Sequence, residues 1–294
     1  VNYGLLRDTG SVINKLGGNG GTSGNGGAVT VTNESRVITA GDNSVAVLAQ
    51  SVGGGGGVSG VKNRADEGAP LVTQFSLGAG NTTATGSSGA NGNGSTVDVT
   101  NTGAIRTSGA NAIGVFAQSV GGGGGLSLTT IANDVMAIAS SRVGAQSGTG
   151  GSGGDVNVIQ NGSVITSGAG SVGIVAQSVG GGGGYLGMVS KDSSASITGG
   201  NNVTMGGVTS AVGHGGNVTV TNNSEIRTSG ANSVGILAQS VGGGGGVIMM
   251  SGSGTISPTW AAGKGNGGNV TVNVNSPIYT TGAGAYGVIA ESVG

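Results

Sequence analysis

The sequence predicts an all-β fold, a parallel β-helix or solenoid, and two observations support this prediction. The string Ala-Gln-Ser-Val followed by five glycines occurs four times, and a fifth copy begins near the last residue with Glu291 in the place of the glutamine. A valine lies 21 residues before each of these positions, although successive repeats are 52 to 68 residues apart. Repeats of this length are typical of stacked arrays, in which each unit contacts only its neighbours.

A cassette of constant length therefore alternates with an insert of variable length. The cassettes span residues 24–57, 92–125, 151–184, 213–246 and 265–294, and the inserts span 58–91, 126–150, 185–212 and 247–264. We expect each insert to form a second coil, so that one solenoid over residues 1–294 contains about ten coils, roughly two per repeat. The chain begins without methionine and ends where a glycine run should start, so we expect an interior piece of a longer chain.

Each cassette contains three strand patterns. Counted from the first valine, β-branched or other apolar residues occupy offsets 0 and 2, offset 8, and offsets 16 and 18, which is the period-two alternation of strands. The third pattern, VGILAQSV in the fourth cassette, is apolar or small on both faces. A strand of this kind is buried on both sides, so we expect one face of the cassette to pack against the insert or another chain.

The corners between these strands carry turn residues. Glycine occupies offset 12 in every cassette, as expected where a positive φ is required. Outside residues 132–142, the glycine and β-branched content argues against a helix.

Two further positions are constant enough to be structural residues of the repeat. The threonine at offset 10 shares the parity of the inward valines, which predicts an inner or corner role. An ice-binding array would need outward threonines in register on consecutive coils, and the variable inserts between apparent partners argue against it. The structural positions are Gln50, Gln118, Gln177 and Gln239, and Thr39, Thr107, Thr166, Thr228 and Thr280.

Composition restricts the classes of partner. Glycine supplies 71 of 294 residues, 7% of residues are charged, 2% are aromatic, and the net charge is −1. The chain therefore lacks a basic footprint for nucleic acid and a polybasic segment for anionic membranes. No apolar stretch approaches the roughly 20 residues of a membrane helix, so we expect no membrane insertion. The absence of cysteine fits an exported protein held together without disulfides.

Short motifs that suggest chemistry have simpler structural explanations. The five-glycine run lacks the Gly-Lys-Ser/Thr of a phosphate-binding loop. The segment GGSGGD at 150–155 resembles the start of a calcium-binding nonapeptide, but one incomplete copy does not build sites shared between turns. His214 occupies a slot that holds Asn or Ser elsewhere, which favours a turn residue. The sequence thus predicts no catalytic, cofactor-binding or metal-ligating residue, and no enzymatic activity.

The inserts carry the least repetitive side chains. A possible interaction patch consists of Tyr185, Met249, Met250 and Trp260. The alternative for Trp260 is that it packs an insert onto the rod.

The cassette VTVTNNSEIRTSGANSVGILAQSVGGGGG at 218–246 resembles repeats in the passenger domains of proteobacterial autotransporters, which are surface proteins of type V secretion. Many of these passengers carry runs close to GI-AQS-GGGGG. The resemblance implies a right-handed parallel β-helix on the cell surface, attached to the outer membrane through a translocator barrel that this chain does not include. It carries over no catalytic residue, because no matching motif is present.

Together these observations favour a structural or adhesive cell-surface rod, either the stalk of an adhesin or a subunit of an extracellular fibre. Expected partners are further copies of the chain, neighbouring passenger chains, and a host or abiotic surface. One alternative is a β-helix enzyme that degrades polysaccharides, such as a lyase or a tailspike. Another is a ligand-binding module that uses the inserts.

Overall fold

The computed structural model describes residues 2–6, 11–16, 24–63, 71–77, 91–131, 136–138, 141–144, 150–190, 197–198, 203–207, 211–252, 258–260 and 263–294. These residues form β-strands, and none of the ranges contains an α-helix. Every strand pair in them is parallel, as in the pairing of β10 (Ile113–Val120) with β16 (Val172–Val179). The fold of the described residues is therefore all-β, with parallel sheets.

The strands follow the cassette pattern in chain order. They are β1 (Asn2–Leu6), β2 (Ser11–Leu16), β3 (Val29–Asn33), β4 (Val37–Ala40), β5 (Val45–Val52), β6 (Gly56–Asn63), β7 (Leu71–Leu77), β8 (Val97–Asn101), β9 (Ile105–Ser108), β10, β11 (Gly124–Ile131), β12 (Met136–Ile138), β13 (Ser141–Val143), β14 (Val156–Gln160), β15 (Val164–Ser167), β16, β17 (Gly183–Ser190), β18 (Ile197–Thr198), β19 (Val203–Met205), β20 (Val218–Asn222), β21 (Ile226–Ser229), β22 (Val234–Val241), β23 (Gly245–Ser251), β24 (Thr259–Trp260), β25 (Val270–Val274), β26 (Ile278–Thr281) and β27 (Tyr286–Val293).

The cassette strands form three parallel sheets, each with one strand from every cassette. Sheet I has the order β3-β8-β14-β20-β25, sheet II the order β4-β9-β15-β21-β26, and sheet III the order β5-β10-β16-β22-β27. Equivalent residues lie opposite one another, since Val97 pairs with Val29 on one side and with Val156 on the other. Successive cassettes are therefore adjacent layers in register, an arrangement consistent with a parallel β-helix.

The inserts, together with strands from residues 2–16, form two further sheets beside the cassettes. Sheet IV has the order β1-β6-β11-β17-β23, and sheet V the order β18-β12-β7-β13-β19-β24, with β2 paired to β7. Each described glycine run leads from the end of a sheet III strand into a sheet IV strand, as at Gly121–Gly125 between β10 and β11. Sheet IV therefore adds one strand per repeat, as the cassette sheets do.

Three of the four apolar clusters lie between or inside these sheets, and the fourth joins Val120, Val179 and Val241 at the ends of sheet III strands. The first fills the inside of the cassettes and contains the inward residues of sheets I, II and III, such as Val99, Ile105 and Val115. The second lies between sheets III and IV, where the Phe116 ring meets Tyr185 edge to face at 5.4 Å. The third lies between sheets IV and V and contains the buried side chains Val143, Leu186, Met188, Val203 and Met205.

The prediction of about ten coils, roughly two per repeat, is not confirmed. A single stack with that count would place an insert coil between successive cassettes, but β10 pairs with β5 on one edge and with β16 on the other. The backbone groups on both edges are used by neighbouring cassettes, which leaves no place for an insert strand. One repeat therefore adds one strand layer to each cassette sheet, and the inserts pair with one another in sheets of their own.

Several local predictions are confirmed. The third cassette strand is buried on both faces, with every residue of β10, β16 and β22 buried, and its outer face packs against the insert strands of sheet IV. The offset-12 glycines have positive φ, as at Gly168 with 123°. The sequence left room for a helix only at residues 132–142. That expectation is wrong, because the described part of the range contains β12 and the start of β13.

Candidate interaction surfaces and the repeat seam

The repeated glutamines form a ladder of amide hydrogen bonds that joins the layers. The Nε2 group of each glutamine donates to the Oε1 atom of the next, at 2.6 Å from Gln50 to Gln118 and at 2.6 Å from Gln118 to Gln177. The next step, from Gln177 to Gln239, measures 2.8 Å. Gln118 and Gln177 are fully buried, and the ladder supplies partners for both amides. Gln177 Nε2 also donates to the carbonyl of Gly184 at 3.3 Å.

Glu291 accepts the last bond of the ladder. Its Oε2 atom receives the Nε2 donor of Gln239 at 2.9 Å. A glutamine both donates and accepts, whereas an ionised glutamate only accepts. Glu291 stands at the glutamine position of the fifth cassette. Beyond β27 the ladder therefore presents a carboxylate, which accepts hydrogen bonds, where earlier layers present an amide donor.

The serine after each glutamine closes the cassette on itself. Ser178 Oγ donates to the carbonyl of Gly154, 24 residues earlier, at 2.8 Å, and accepts from the N–H of Gly216 in the next layer at 2.8 Å. Ser119 and Ser240 make the equivalent pairs of bonds. These serines form a seam that fixes both the closure of one cassette and its register on the next.

The glycine runs stack on one another, so a side chain in the run would collide with the neighbouring layer. A Cβ atom at Gly183 would overlap the carbonyl of Gly245, and φ at Gly183 is 139°. A Cβ at Gly125 would lie 3.1 Å from Gln50 Nε2, so the bare backbone also leaves room for the glutamine ladder. The N–H groups donate to carbonyls, for example from Gly182 to Gly121 at 2.9 Å, and the run is a packed corner.

The offset-10 threonines point inward, as the parity argument predicted. Thr107, Thr166 and Thr228 are 1% exposed. Three of the five threonines donate to a serine five residues on, with Oγ–Oγ distances of 3.2 Å in the pairs Thr39–Ser44, Thr166–Ser171 and Thr228–Ser233. In the second cassette this serine is replaced by Ala112, and Thr107 Oγ1 has no partner among the described residues.

The suggested interaction patch does not assemble at the surface. Tyr185 is fully buried, and burial raises the pKa of its hydroxyl. Met249 packs on the second core and Met250 on the third, so the two point to opposite faces of β23. Trp260 is 50% exposed and stands opposite Met205 in sheet V. Successive side chains of a strand point to opposite faces, so Met249 and Met250 cannot form one surface patch although they are adjacent in the sequence.

A groove of about 380 Å³ lies beside Trp260. It is also lined by Gln239, Glu291 and the glycines of the fourth run. The groove follows the edge of β23, the last strand of sheet IV in the described chain. In the inner layers the equivalent space is filled by the glycine run of the following layer. The groove therefore has about the width of one strand.

The outward residues of sheet I form two ranks of short side chains. They are Thr30, Asp98, Asn157, Thr219 and Thr271 in one rank, and Thr32, Thr100, Ile159, Thr221 and Asn273 in the other. Successive cassettes are in register here, so the argument from variable inserts against an outward array was wrong. The offset-10 threonines still form no such array, because they point inward.

Sheet II presents a column of larger side chains, one from each layer. In order along the sheet they are Ile38, Arg106, Ile165, Arg227 and Tyr279. Arg227 binds Glu225 and lies 4.5 Å from the centre of the Tyr279 ring. The hydrogen bond that Arg227 donates to Glu225, followed by the negative charge of Glu225, raises the pKa of Arg227. All five residues occupy the same offset in the aligned cassettes. Because their side chains differ in chemistry, the alignment alone did not identify them as a column.

The residues considered for metal or catalysis serve the turns between layers. His214 Nδ1 accepts from the N–H of Asn266 at 3.0 Å, and Asp155 Oδ1 accepts from the N–H of Asn217 at 2.7 Å. Within the described ranges, no group of three or more His, Cys, Asp or Glu residues could hold a metal ion. Nor does any helix in those ranges have the length and apolar character needed to cross a membrane.

Comparison with known proteins adds no relative: no protein-family model, curated protein or solved structure matches the chain.

Proposed function

We propose that the chain is part of a parallel β-solenoid that serves as a structural and adhesive rod outside the cell. One observation carries the proposal: all five cassettes pair in register through three sheets. Each inner layer is bounded by the same contacts on both sides. Repeats of this kind lengthen a molecule without changing its cross-section, which is the property that a stalk or fibre needs.

The buried polar seam supports a rigid rod. A slip of one residue between layers would carry each buried glutamine and serine to the opposite face of its strand. Gln118 and Ser119 would then lose their partners in the neighbouring layers, and unpaired buried polar groups are costly. The ladder and the seam therefore favour one register over all others.

The location and partners belong to the same proposal. The resemblance to autotransporter passengers and the lack of cysteine support export to the cell surface, with attachment to the outer membrane through a translocator. Other copies of the chain, neighbouring passenger chains and a host or abiotic surface are the proposed partners. The rod would act by holding binding surfaces away from the cell and by repeating them along its length.

The alternative of a β-helix enzyme requires acidic or basic groups that converge on a bond to be cleaved. Two described carboxylates on the cassettes are committed to structural bonds instead. Asp98 accepts from Asn157 Nδ2 at 2.8 Å, and Asp155 accepts from the backbone of Asn217. No specific contact favours the enzyme over the rod.

Cryo-electron microscopy of the chain lengthened by extra copies of residues 156–217 tests the proposal, because the five layers of the chain alone span only about 24 Å. We expect particles that lengthen along one axis, with a strand spacing of about 4.8 Å along that axis. Beads coated with the chain should also adhere to one another or to polysaccharide-coated surfaces more than beads coated with Gly183→Ala, a variant expected to misfold. Compact particles with crossed sheets, or cleavage of a polysaccharide by the pure chain, would contradict the rod.

A further inference from the structure

The column on sheet II alternates apolar and basic side chains along the stack. Ile38 and Ile165 occupy the first and third layers, Arg106 and Arg227 the second and fourth, and Tyr279 the fifth. All five come from the middle of short paired strands, so their spacing is set by the sheet. Neighbouring layers are about 4.8 Å apart, and the two arginines are about 10 Å apart along the axis.

The column is accessible. Ile38 is 52% exposed, Tyr279 is 46% exposed, and the side chain of Arg227 is 54% exposed. The neighbouring column on the same face contains only short side chains, namely Ala40, Ser108, Ser167, Ser229 and Thr281. The large side chains therefore stand above a low, hydroxyl-rich strip, along which an extended molecule could lie.

The column contains two positive charges, and Glu225 beside it carries one negative charge. Arg106 is exposed and has no ion-pair or hydrogen-bond partner among the described residues. Arg227 has Glu225 as its partner, but its guanidinium also lies over the ring of Tyr279 and is half exposed. An arginine can pair with a carboxylate through two parallel hydrogen bonds, so Arg106 suits an acidic ligand directly. Arg227 already donates two hydrogen bonds to Glu225, so an acidic ligand there would share or displace that carboxylate.

We propose that this column binds a linear acidic polysaccharide lying along the stack, with its acidic groups on alternate sugars. A pyranose ring in a linear chain advances by a length similar to the strand spacing of about 4.8 Å. One sugar would therefore meet each layer. Ile38, Ile165 and Tyr279 would pack against the apolar faces of neutral sugars, and Arg106 and Arg227 would bind the carboxylates between them. The inference rests on the proposed adhesive rod and names its ligand class.

The alternation distinguishes this ligand from a uniformly charged polymer. A carboxylate on every sugar would place charge against Ile165, where no donor compensates for lost hydration. A nucleic acid would face the same mismatch at every second layer. A neutral polysaccharide would leave the guanidinium of Arg106 without a charged partner.

Binding measurements on defined polymers test the inference. Hyaluronan oligosaccharides carry one carboxylate per disaccharide, polygalacturonate oligosaccharides carry one per sugar, and cello-oligosaccharides carry none. At low ionic strength we expect hyaluronan to bind most tightly of the three at equal length. Arg106→Gln should weaken hyaluronan binding about fivefold, since it removes one exposed charge pair.

Two variants make the test specific. Lys264→Gln removes one exposed positive charge away from the column and should change affinity less than about twofold. Ile165→Arg gives the third layer an arginine, as the second and fourth layers already have. Three successive positive charges should shift the binding preference towards polygalacturonate, which carries a carboxylate on every sugar. Equal effects of Arg106→Gln and Lys264→Gln, or equally tight binding of a single-stranded DNA of the same charge, would overturn the inference.

Particle shape separates this inference from the proposed function. Each variant is also made with three extra copies of residues 156–217, and it must lengthen along one axis as the extended parent chain does. Extended rods that do not bind hyaluronan overturn the polysaccharide site alone. An extended chain that does not lengthen along one axis overturns the proposed function itself.

Discussion

The hydroxyl of Ser178 donates to the carbonyl of Gly154 at 2.8 Å, 24 residues earlier in the chain. The same oxygen accepts from Gly216 N at 2.8 Å in the following layer. One atom thus fixes the closure of a cassette and its position on the next. The space for the serine is made by Gly153, where an added Cβ would overlap Ser178 Oγ.

Replacing Ser178 with alanine should destabilise the chain. The substitution leaves the half-buried carbonyl of Gly154 and N–H of Gly216 without these partners, at a cost of about 1–2 kcal/mol. Chemical denaturation measures the loss as a lower midpoint with an unchanged slope. Ser229→Ala, an exposed serine without a hydrogen bond in the described chain, is the matched control and should change stability by less than about 0.5 kcal/mol. Equal stability of the two variants would show that the seam is not structural.

Interrupting the glutamine ladder should cost more. Gln177→Leu leaves Gln118 Nε2 and Gln239 Oε1 unpaired, for a loss of about 3 kcal/mol. Gln177→Glu keeps the shape, but its carboxylate cannot donate to Gln239. Burial should raise the pKa of this new carboxyl, so its stability deficit should be smaller near pH 4 than near pH 7. Denaturation of both variants at the two pH values provides the measurement, and a pH-independent deficit for Gln177→Glu would contradict the ladder.

Ala112→Ser should stabilise the second cassette. In three other cassettes a serine at this position pairs with the inward threonine, and Thr107 Oγ1 is without a partner in the described chain. The added hydroxyl should contribute about 1 kcal/mol. Thr107→Val should be neutral or stabilising, whereas Thr166→Val, which removes a paired hydroxyl, should destabilise. Thermal unfolding of the three variants checks this order, and a stability loss in Ala112→Ser would refute it.

The glycine run should tolerate no side chain. Gly183→Ala places a Cβ against the carbonyl of Gly245 at φ 139°, and we expect a loss of more than about 3 kcal/mol or failure to fold. Gly27→Ala is the control, because a Cβ there meets nothing within 4 Å and φ is not positive. Circular dichroism and denaturation compare the two. Similar stability would mean that the run is not packed as described.

Each repeat should add one strand spacing to the length of the molecule. Inserting one, two or three extra copies of residues 156–217 between Asn217 and Val218 should lengthen the particle by about 4.8 Å per copy. The two-coil arrangement expected from the sequence would give about twice this slope. Lengths measured on cryo-electron micrographs of the series decide between the two values.

The strands were predictable because their signal is local. Alternating valines such as Val97 and Val99, and corner glycines such as Gly109, report backbone conformation through neighbouring residues. The inward threonines followed from parity alone. The buried third strand was also evident, because VGILAQSV has no polar face apart from its glutamine and serine.

The layer arrangement was not predictable, because it depends on which strands share hydrogen bonds across 52 to 68 residues. Inserts of different length fit beside the cassettes, so their length carries no information on stacking. The buried position of Tyr185 was concealed for a similar reason: only the contact with Phe116 across two sheets reveals it. The sheet II column lacked a shared residue type by which alignment could identify it.

The glutamine ladder gives the molecule an electrical direction. Every Nε2 donor of the ladder points towards Glu291, so the amide dipoles add along one line and the carboxylate stands at their positive end. Two such molecules side by side would have the lower electrostatic energy when their axes run in opposite directions. A sheath of these chains would then alternate up and down, displaying the faces of both orientations on one surface.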